Sequence, residues 1–211
     1  MAYDGDLPYQ EVKKRILAIE DPDKQLLLCL TYATGSRVGE IVRHRLDKKD
    51  TIEKNCKNPP LKDVHIYTKK IKGKTTIAVR IQVEKSIYFK TNKETNKISR
   101  HGEKRFRVFP IPPTKEIEFC RIIWKAKKER NGYLLNISTR CAEKWFSEFF
   151  PDFGEKIHHL RHWRITHLLS GAAWGKPVPK DHVQKLVGHS RLTTTNLYDH
   201  IQIEDWMGEY A

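Results

Sequence analysis

The residue pattern predicts an α+β fold: a mostly helical domain that carries a small three-stranded antiparallel sheet. Three observations lead there. Apolar residues recur at helical spacing over residues 9–47 and again from Thr114 onward. Between those stretches the period changes to strict alternation, most clearly at Ile77, Val79, Ile81 and Val83. The order of helices, then a sheet, then helices separates the two element types, which excludes a parallel α/β layout.

Taken in order, Val12, Ile16 and Ile19 give the first helix one apolar face. Asp21-Pro22 ends it and starts the next, with proline at the first turn. The run Leu26 to Tyr32 reads as a buried helix, with Cys29 as a small core residue. Gly35 interrupts it, and a third helix runs from Arg37 to His44. Residues 48–61 form a polar insertion ending in Asn58-Pro59-Pro60. The first strand begins at Val64, and a turn at Lys72-Gly73-Lys74 leads into a half-buried second strand. A long basic hairpin occupies 85–104, and Arg105 to Ile111 is the third strand. Helices follow at Thr114–Lys128, at Ser138–Phe149 with Ser138 or Thr139 as cap, and near 158–170, 179–187 and 192–200. The tail 201–211 is amphipathic through Ile201, Ile203, Trp206 and Met207, and reads equally as a protomer contact or as packing on its own domain.

Composition narrows the function. The chain has 211 residues with 40 Lys and Arg against 26 Asp and Glu, a net charge of +14. Thirteen basic and three acidic residues fall between His65 and Arg107, so most of the excess lies on the strand-rich segment. Such a distribution suits a polyanionic partner, nucleic acid above all. Aromatic residues at 10% exclude a disordered basic tail. No apolar run reaches the roughly 20 residues of a membrane span, and the acidic start carries no signal peptide. Cys29, Cys56, Cys120 and Cys141 are far apart and form no C-x-x-C pair, which argues against a zinc ribbon and for free thiols in an intracellular, cytoplasmic protein.

Three segments carry candidate chemistry: Thr34-Gly35-Ser36-Arg37-Val38-Gly39-Glu40-Ile41; His158-His159-Leu160-Arg161-His162; and Val187-Gly188-His189-Ser190 through Tyr198. Singly, each has an ordinary reading. Arg37 pairs on the surface with Glu40 three residues on, the second segment is a cationic solvated face of a helix buried through Leu160, Ile165 and Leu168, and Tyr198 packs. Together, in this order and spacing across residues 8–200, they resemble the catalytic domain of the tyrosine recombinase (phage integrase) family. His159 stands where the family often has Asp, and Trp163 where it often has Thr. The insertion and long hairpin are similar to those of archaeal virus or plasmid integrases. The resemblance assigns all of 1–211 to the catalytic domain, without the family's N-terminal DNA-clamping domain, because Arg37 comes so early.

The resemblance implies DNA cleavage and rejoining through a 3′-phosphotyrosine at Tyr198, with Arg37 and Arg161 on the phosphate oxygens. It makes His189 a donor to phosphate, and His158 a proton acceptor or phosphate-orienting group. A sheet lysine protonates the leaving 5′-oxygen: Lys85 first, Lys90 second, with Lys104 on the returning strand. Glu40 orients a neighbouring side chain. The chemistry suits the residues, since a guanidinium fork matches phosphate geometry. A tyrosine of pKa roughly 10 also needs a proton acceptor and positive charge. The implied partners are double-stranded DNA at a specific attachment site and a synaptic homo-tetramer, with no membrane. No nucleotide cofactor is required, and the absence of a carboxylate cluster beside the boxes predicts metal-independent chemistry. Three rivals stand beside this reading. One is type IB topoisomerase-like cleavage. Another is a non-catalytic DNA-binding protein, which needs none of the boxes. The third is a metallohydrolase on His158, His162 and His189, for which H-E-x-x-H is missing.

Overall fold

The computed structural model describes residues 6–42, 61–71, 73–83 and 106–188, and the backbone of 88–91 and 98–101. The helix–sheet–helix order is as the sequence predicts.

Helix α1 spans Tyr9–Leu17 and buries Tyr9, Val12 and Ile16. Helix α2 spans Pro22–Thr34; the Asp21 carboxylate caps it by accepting from the N–H groups of Asp23 at 2.9 Å and Lys24 at 3.0 Å. Every residue from Leu26 to Thr34 is buried. A helix apolar all round belongs at the centre of a domain, and α2 contacts all the helices described up to α6 together with the last strand. The third helix, α3, covers only Val38–Ile41. The carbonyl of Ile41 accepts from the Leu61 N–H at 3.0 Å, and Val42 is extended, so the helix stops short of the expected His44 within the described residues.

The first strand also starts later than its alternation suggests. Asp63–His65 form a 3₁₀ turn that leaves Val64 68% exposed. Asp63 exchanges backbone and side-chain hydrogen bonds with Gly132, and the Lys62 N–H donates to His65 Nδ1, which fixes the turn. Strands β1 (Ile66–Ile71), β2 (Lys74–Gln82) and β5 (Phe106–Ile111) form an antiparallel sheet in the order β1-β2-β5. The long hairpin is a separate two-stranded ribbon, β3 (Tyr88–Thr91) with β4 (Ile98–His101). Ile77, Val79 and Ile81 are buried as expected, whereas Val83 lies past the end of β2 and is only half-buried; β2 is itself more than half-buried, since Thr76 and Ala78 are enclosed too. Ala78 pairs with Tyr67 on one side and Pro110 on the other, so a small side chain on the central strand loses its surface between larger neighbours.

Helix α4 spans Pro113–Glu129 and is broken at Glu116, where φ is −135° and ψ 48°. Helix α5 spans Thr139–Phe149, capped by the Ser138 hydroxyl. Helix α6 spans His159–Leu169 and α7 spans Lys180–Val187. The solvated cationic face is not what α6 presents. Arg161 and Arg164 are buried with Leu160 and Leu168, whereas Ile165 is only partly so. Trp163 anchors the helix to the preceding segment, its ring 5.3 Å from that of Phe150 and 4.8 Å from that of Phe153. Arg164 forms a two-pronged pair with Glu116, and both side chains are fully enclosed. The break in α4 falls on the residue that makes this pair. Cys29 and Cys120 are buried free thiols. No helix among the described residues is long and apolar enough to cross a membrane. The expected helix at 192–200, the tail 201–211 and residues 48–60 lie outside the described residues.

Candidate active site

The site grows from the end of α2. Gly35 terminates that helix in the left-handed conformation, φ 56°, and a Cβ there would stand 2.9 Å from Val187 Cγ1. Both the backbone sign and the close approach of α7 require glycine. The turn does two things. Its carbonyl accepts a 2.5 Å hydrogen bond from Arg161 Nη1, joining residues 126 positions apart. It also delivers Arg37 to the position before α3, where the Arg37 N–H donates to Glu40 Oε2 at 3.0 Å.

Arg37 and Glu40 do pair, as the ordinary reading has it, but not on the surface. The Glu40 side chain is fully buried, and Arg37 Nη1 reaches Oε1 only at 3.4 Å, with the arginine side chain 20% exposed. Arg37 lines a cleft of about 400 Å³ together with Gly39, Thr139, Lys156 and His158. His158 stands just before α6 and Arg161 in its first turn, so that helix start brings both toward the Gly35 turn.

The electrostatics follow from this crowding. His158 is pushed down to about 4, first by partial enclosure and then by His162, Arg161, Arg37 and His159. It is therefore neutral near pH 7, with a ring edge in solvent. The His158 and His162 rings meet edge-to-face, 4.7 Å between centroids. His162 is lowered in turn by burial, His159 and Arg161, against an opposing pull from Asp6. Among the described residues no group of three or more His, Cys, Asp or Glu gathers as metal ligands. A larger groove of about 520 Å³, between the β1–β2 hairpin and α4, is lined by Ile77, Ile117 and Trp124 and touches none of the candidate residues.

A third arginine enters, this one from the sheet. Arg107, on β5, is buried, and its Nη2 donates to Glu40 Oε2 at 3.0 Å and Ser36 Oγ at 2.7 Å. Its Nη1 donates to the carbonyls of Thr34 at 3.1 Å and Leu186 at 2.5 Å. Burial works against its charge and Glu40 supports it.

Residues 8–204 match the family described as the phage integrase family. The chain belongs to the phage integrase family. Similar proteins within reach of this family include tyrosine recombinase XerD of Staphylococcus aureus strain Mu50, 27% identical over 94% of this chain and 60% of that protein. Tyrosine recombinase XerA of Pyrococcus horikoshii is 26% identical over 91% of this chain and 55% of that protein. The chain thus spans little more than half the length of these relatives. No solved structure gives a significant match.

The structure therefore brings Arg37, His158 and Arg161 of this phage integrase family chain to one place. Lys85, His189 and Tyr198 lie outside the described residues, although the family match runs through all three positions. Lys90 is on β3, where the backbone pairs it with Ser99. Arg107 was not singled out in the sequence. A signal existed: alternation along β5 puts Arg107 on the same face as Phe109 and Ile111, an inward position that a basic side chain occupies only with partners.

Proposed function

We propose that residues 1–211 act as the catalytic domain of a site-specific DNA recombinase that cleaves and rejoins strands through a 3′-phosphotyrosine. The observation that carries this is the Gly35 turn. In a phage integrase family chain it holds Arg161 by its carbonyl and presents Arg37 to a cleft shared with His158.

The Tyr198 oxygen attacks phosphorus, the P–O5′ bond breaks, and the 3′ end stays bound to the protein while the 5′-hydroxyl leaves. Arg37 and Arg161 meet the nonbridging oxygens, where charge grows in the transition state. His158, beside Arg37 in the cleft, takes the tyrosine proton or orients the phosphate. His189 donates to a phosphate oxygen, and Lys85 supplies the proton that the leaving oxygen takes up. Rejoining is the same step reversed with a new 5′-hydroxyl, so the bond energy is kept in the phosphotyrosine. Exposed Lys69, Lys70, Lys74 and Arg80 support a duplex DNA partner on the sheet side. A specific attachment site and a tetrameric synapse complete the reading.

The test is incubation with a suicide DNA substrate, from which the cleaved 5′ fragment diffuses away, followed by a denaturing gel. The wild-type chain is expected to give a covalent protein–DNA band and Tyr198→Phe none, with DNA binding retained. No band from the wild type, or a band from Tyr198→Phe, refutes the proposal.

A further inference from the structure

We infer that His167 is a positioning residue for strand cleavage: by accepting a hydrogen bond from Tyr32 it seats α6 on α2 so that Arg161 meets the Gly35 turn. The inference rests on the function proposed above and adds a pair of residues that lies outside the three boxes.

His167 lies on α6, buried, and each of its ring nitrogens has a partner on another segment. Nε2 stands 2.8 Å from the Leu7 carbonyl, ahead of α1, and Nδ1 stands 2.7 Å from the hydroxyl of fully buried Tyr32 on α2. A carbonyl only accepts, so Nε2 carries the hydrogen. Nδ1 of the neutral ring is then an acceptor, and the Tyr32 O–H donates to it. Burial holds the imidazole below its ordinary value and keeps it neutral, with Arg164 adding to the effect against the Leu7 carbonyl, Asp6 and Glu116. The Tyr9 ring meets the imidazole edge-on, 5.8 Å between centroids, and confines it further.

The bond bears on the site through the backbone of Tyr32. The Tyr32 carbonyl accepts from the Gly35 N–H at 3.0 Å, so the residue that His167 grips also holds the turn. The Gly35 carbonyl in turn accepts from Arg161, which stands earlier on the same helix as His167. Tyr32, Gly35, Arg161 and His167 thus close a ring across two helices, side chain to side chain at one contact and backbone to side chain at the other. The Arg164 guanidinium, also on α6, lies 5.5 Å from the centre of the Tyr32 ring. Opening the Tyr32–His167 bond takes a hydrogen-bonding partner from a buried polar atom, which is costly, and α6 relaxes to recover it. Arg161 moves with its helix, and the fork it offers moves away from the phosphate. A misplacement of about 1 Å imposed from outside the chemistry lowers a rate by as much as about 100-fold.

Single-turnover cleavage of the suicide substrate separates positioning from folding. A folding defect lowers the fraction of chain that reacts, whereas a positioning defect lowers the rate constant of the fraction that does. Tyr32→Phe removes only the hydroxyl. Its rate constant at saturating DNA is expected to fall between about 10- and 100-fold, with the half-saturating DNA concentration unchanged. His167→Gln keeps a donor for the Leu7 carbonyl but offers Tyr32 no acceptor, and should be as slow. His167→Asn puts its amide oxygen where Nδ1 stands, and is expected to restore most of the rate. Tyr32→Phe/His167→Gln breaks the same bond from both sides, so it should be no slower than either single variant. A wild-type rate constant in Tyr32→Phe, a His167→Asn variant as slow as His167→Gln, or a double variant whose losses multiply overturns the inference. If the His167 variants do not fold, Tyr32→Phe carries the test by the same criterion. A wild-type chain that forms no adduct removes the functional reading and this inference with it. A wild-type adduct with an unresponsive Tyr32→Phe variant removes the inference alone.

Discussion

Replacing Arg164 by methionine should destabilise the domain by about 3–5 kcal/mol, the cost of stranding one partner of a buried ion pair. In the native chain Arg164 Nη1 and Nη2 meet Glu116 Oε1 and Oε2 at 2.5 and 2.8 Å, and neither side chain has any exposed surface. Methionine fills much of the arginine stem's volume, so the loss is electrostatic rather than a cavity. Glu116 keeps the Trp174 Nε1 donor at 3.0 Å. A hydrogen bond to a charged group contributes about 1.5–3 kcal/mol, which does not replace a bidentate guanidinium in a dry site. Against a total stability of about 5–15 kcal/mol for a domain, the loss is large. Urea unfolding followed by tryptophan fluorescence measures it, and Glu116→Gln/Arg164→Met completes a double-mutant cycle. The double variant should cost less than Arg164→Met alone, because no bare charge remains. A single-variant loss below about 1 kcal/mol, the range of a solvent-exposed pair, would refute the claim that this two-pronged pair is dry.

Gly35→Ala should cost at least about 1–2 kcal/mol from the left-handed backbone alone, with Val187 adding a clash; an unchanged urea midpoint would contradict it. Arg161→Lys should fold and bind DNA but cleave on the order of 100-fold more slowly, because one ammonium cannot hold the Gly35 carbonyl and also meet a phosphate as a fork; near wild-type cleavage would count against that contact. His158 titrates at about 4 when folded against an ordinary 6.5, so the unfolded chain takes up a proton first. Its contribution to stability is present above 6.5 and lost as pH falls toward 4. The gap in melting temperature between wild type and His158→Gln should therefore shift over that window, though screened at the exposed ring edge, and a constant gap would oppose it. Lys85→Ala should lose cleavage of ordinary DNA and regain it when sulfur replaces the leaving 5′-oxygen, since a thiolate needs no proton; rescue of Lys90→Ala instead would move the acid into the hairpin.

Local chemistry was legible wherever it is written in neighbouring residues. Asp21-Pro22 starts α2, the run Leu26 to Tyr32 is core, and of the two cap candidates for α5 it is Ser138 that caps, in line with the sequence. The alternation of β2 picked out Ile77, Val79 and Ile81 but not Thr76 and Ala78, and the boxes, through the family they resemble, marked Arg37, His158 and Arg161 before any geometry placed them together. What failed was the polarity of faces. Taken alone, the α6 segment reads as a solvated cationic side, because periodicity says which residues share a face, not which face turns inward. Val64 read as strand because alternation does not register the Asp63–Gly132 hydrogen bonds that bend the chain there.

The sequence by itself determined the order of the described elements, the cap of α5 and the core of α2, because each depends on groups within a turn or two of one another. Tertiary structure alone decided that Arg164 is buried against Glu116, 48 positions away, and that Arg161 rests on the carbonyl of Gly35. It alone decided that Arg107 shares Glu40 with Arg37 across 67 positions. A buried charge is acceptable only where its counter-charge arrives, and that arrival is a property of the packed fold rather than of any segment of the chain.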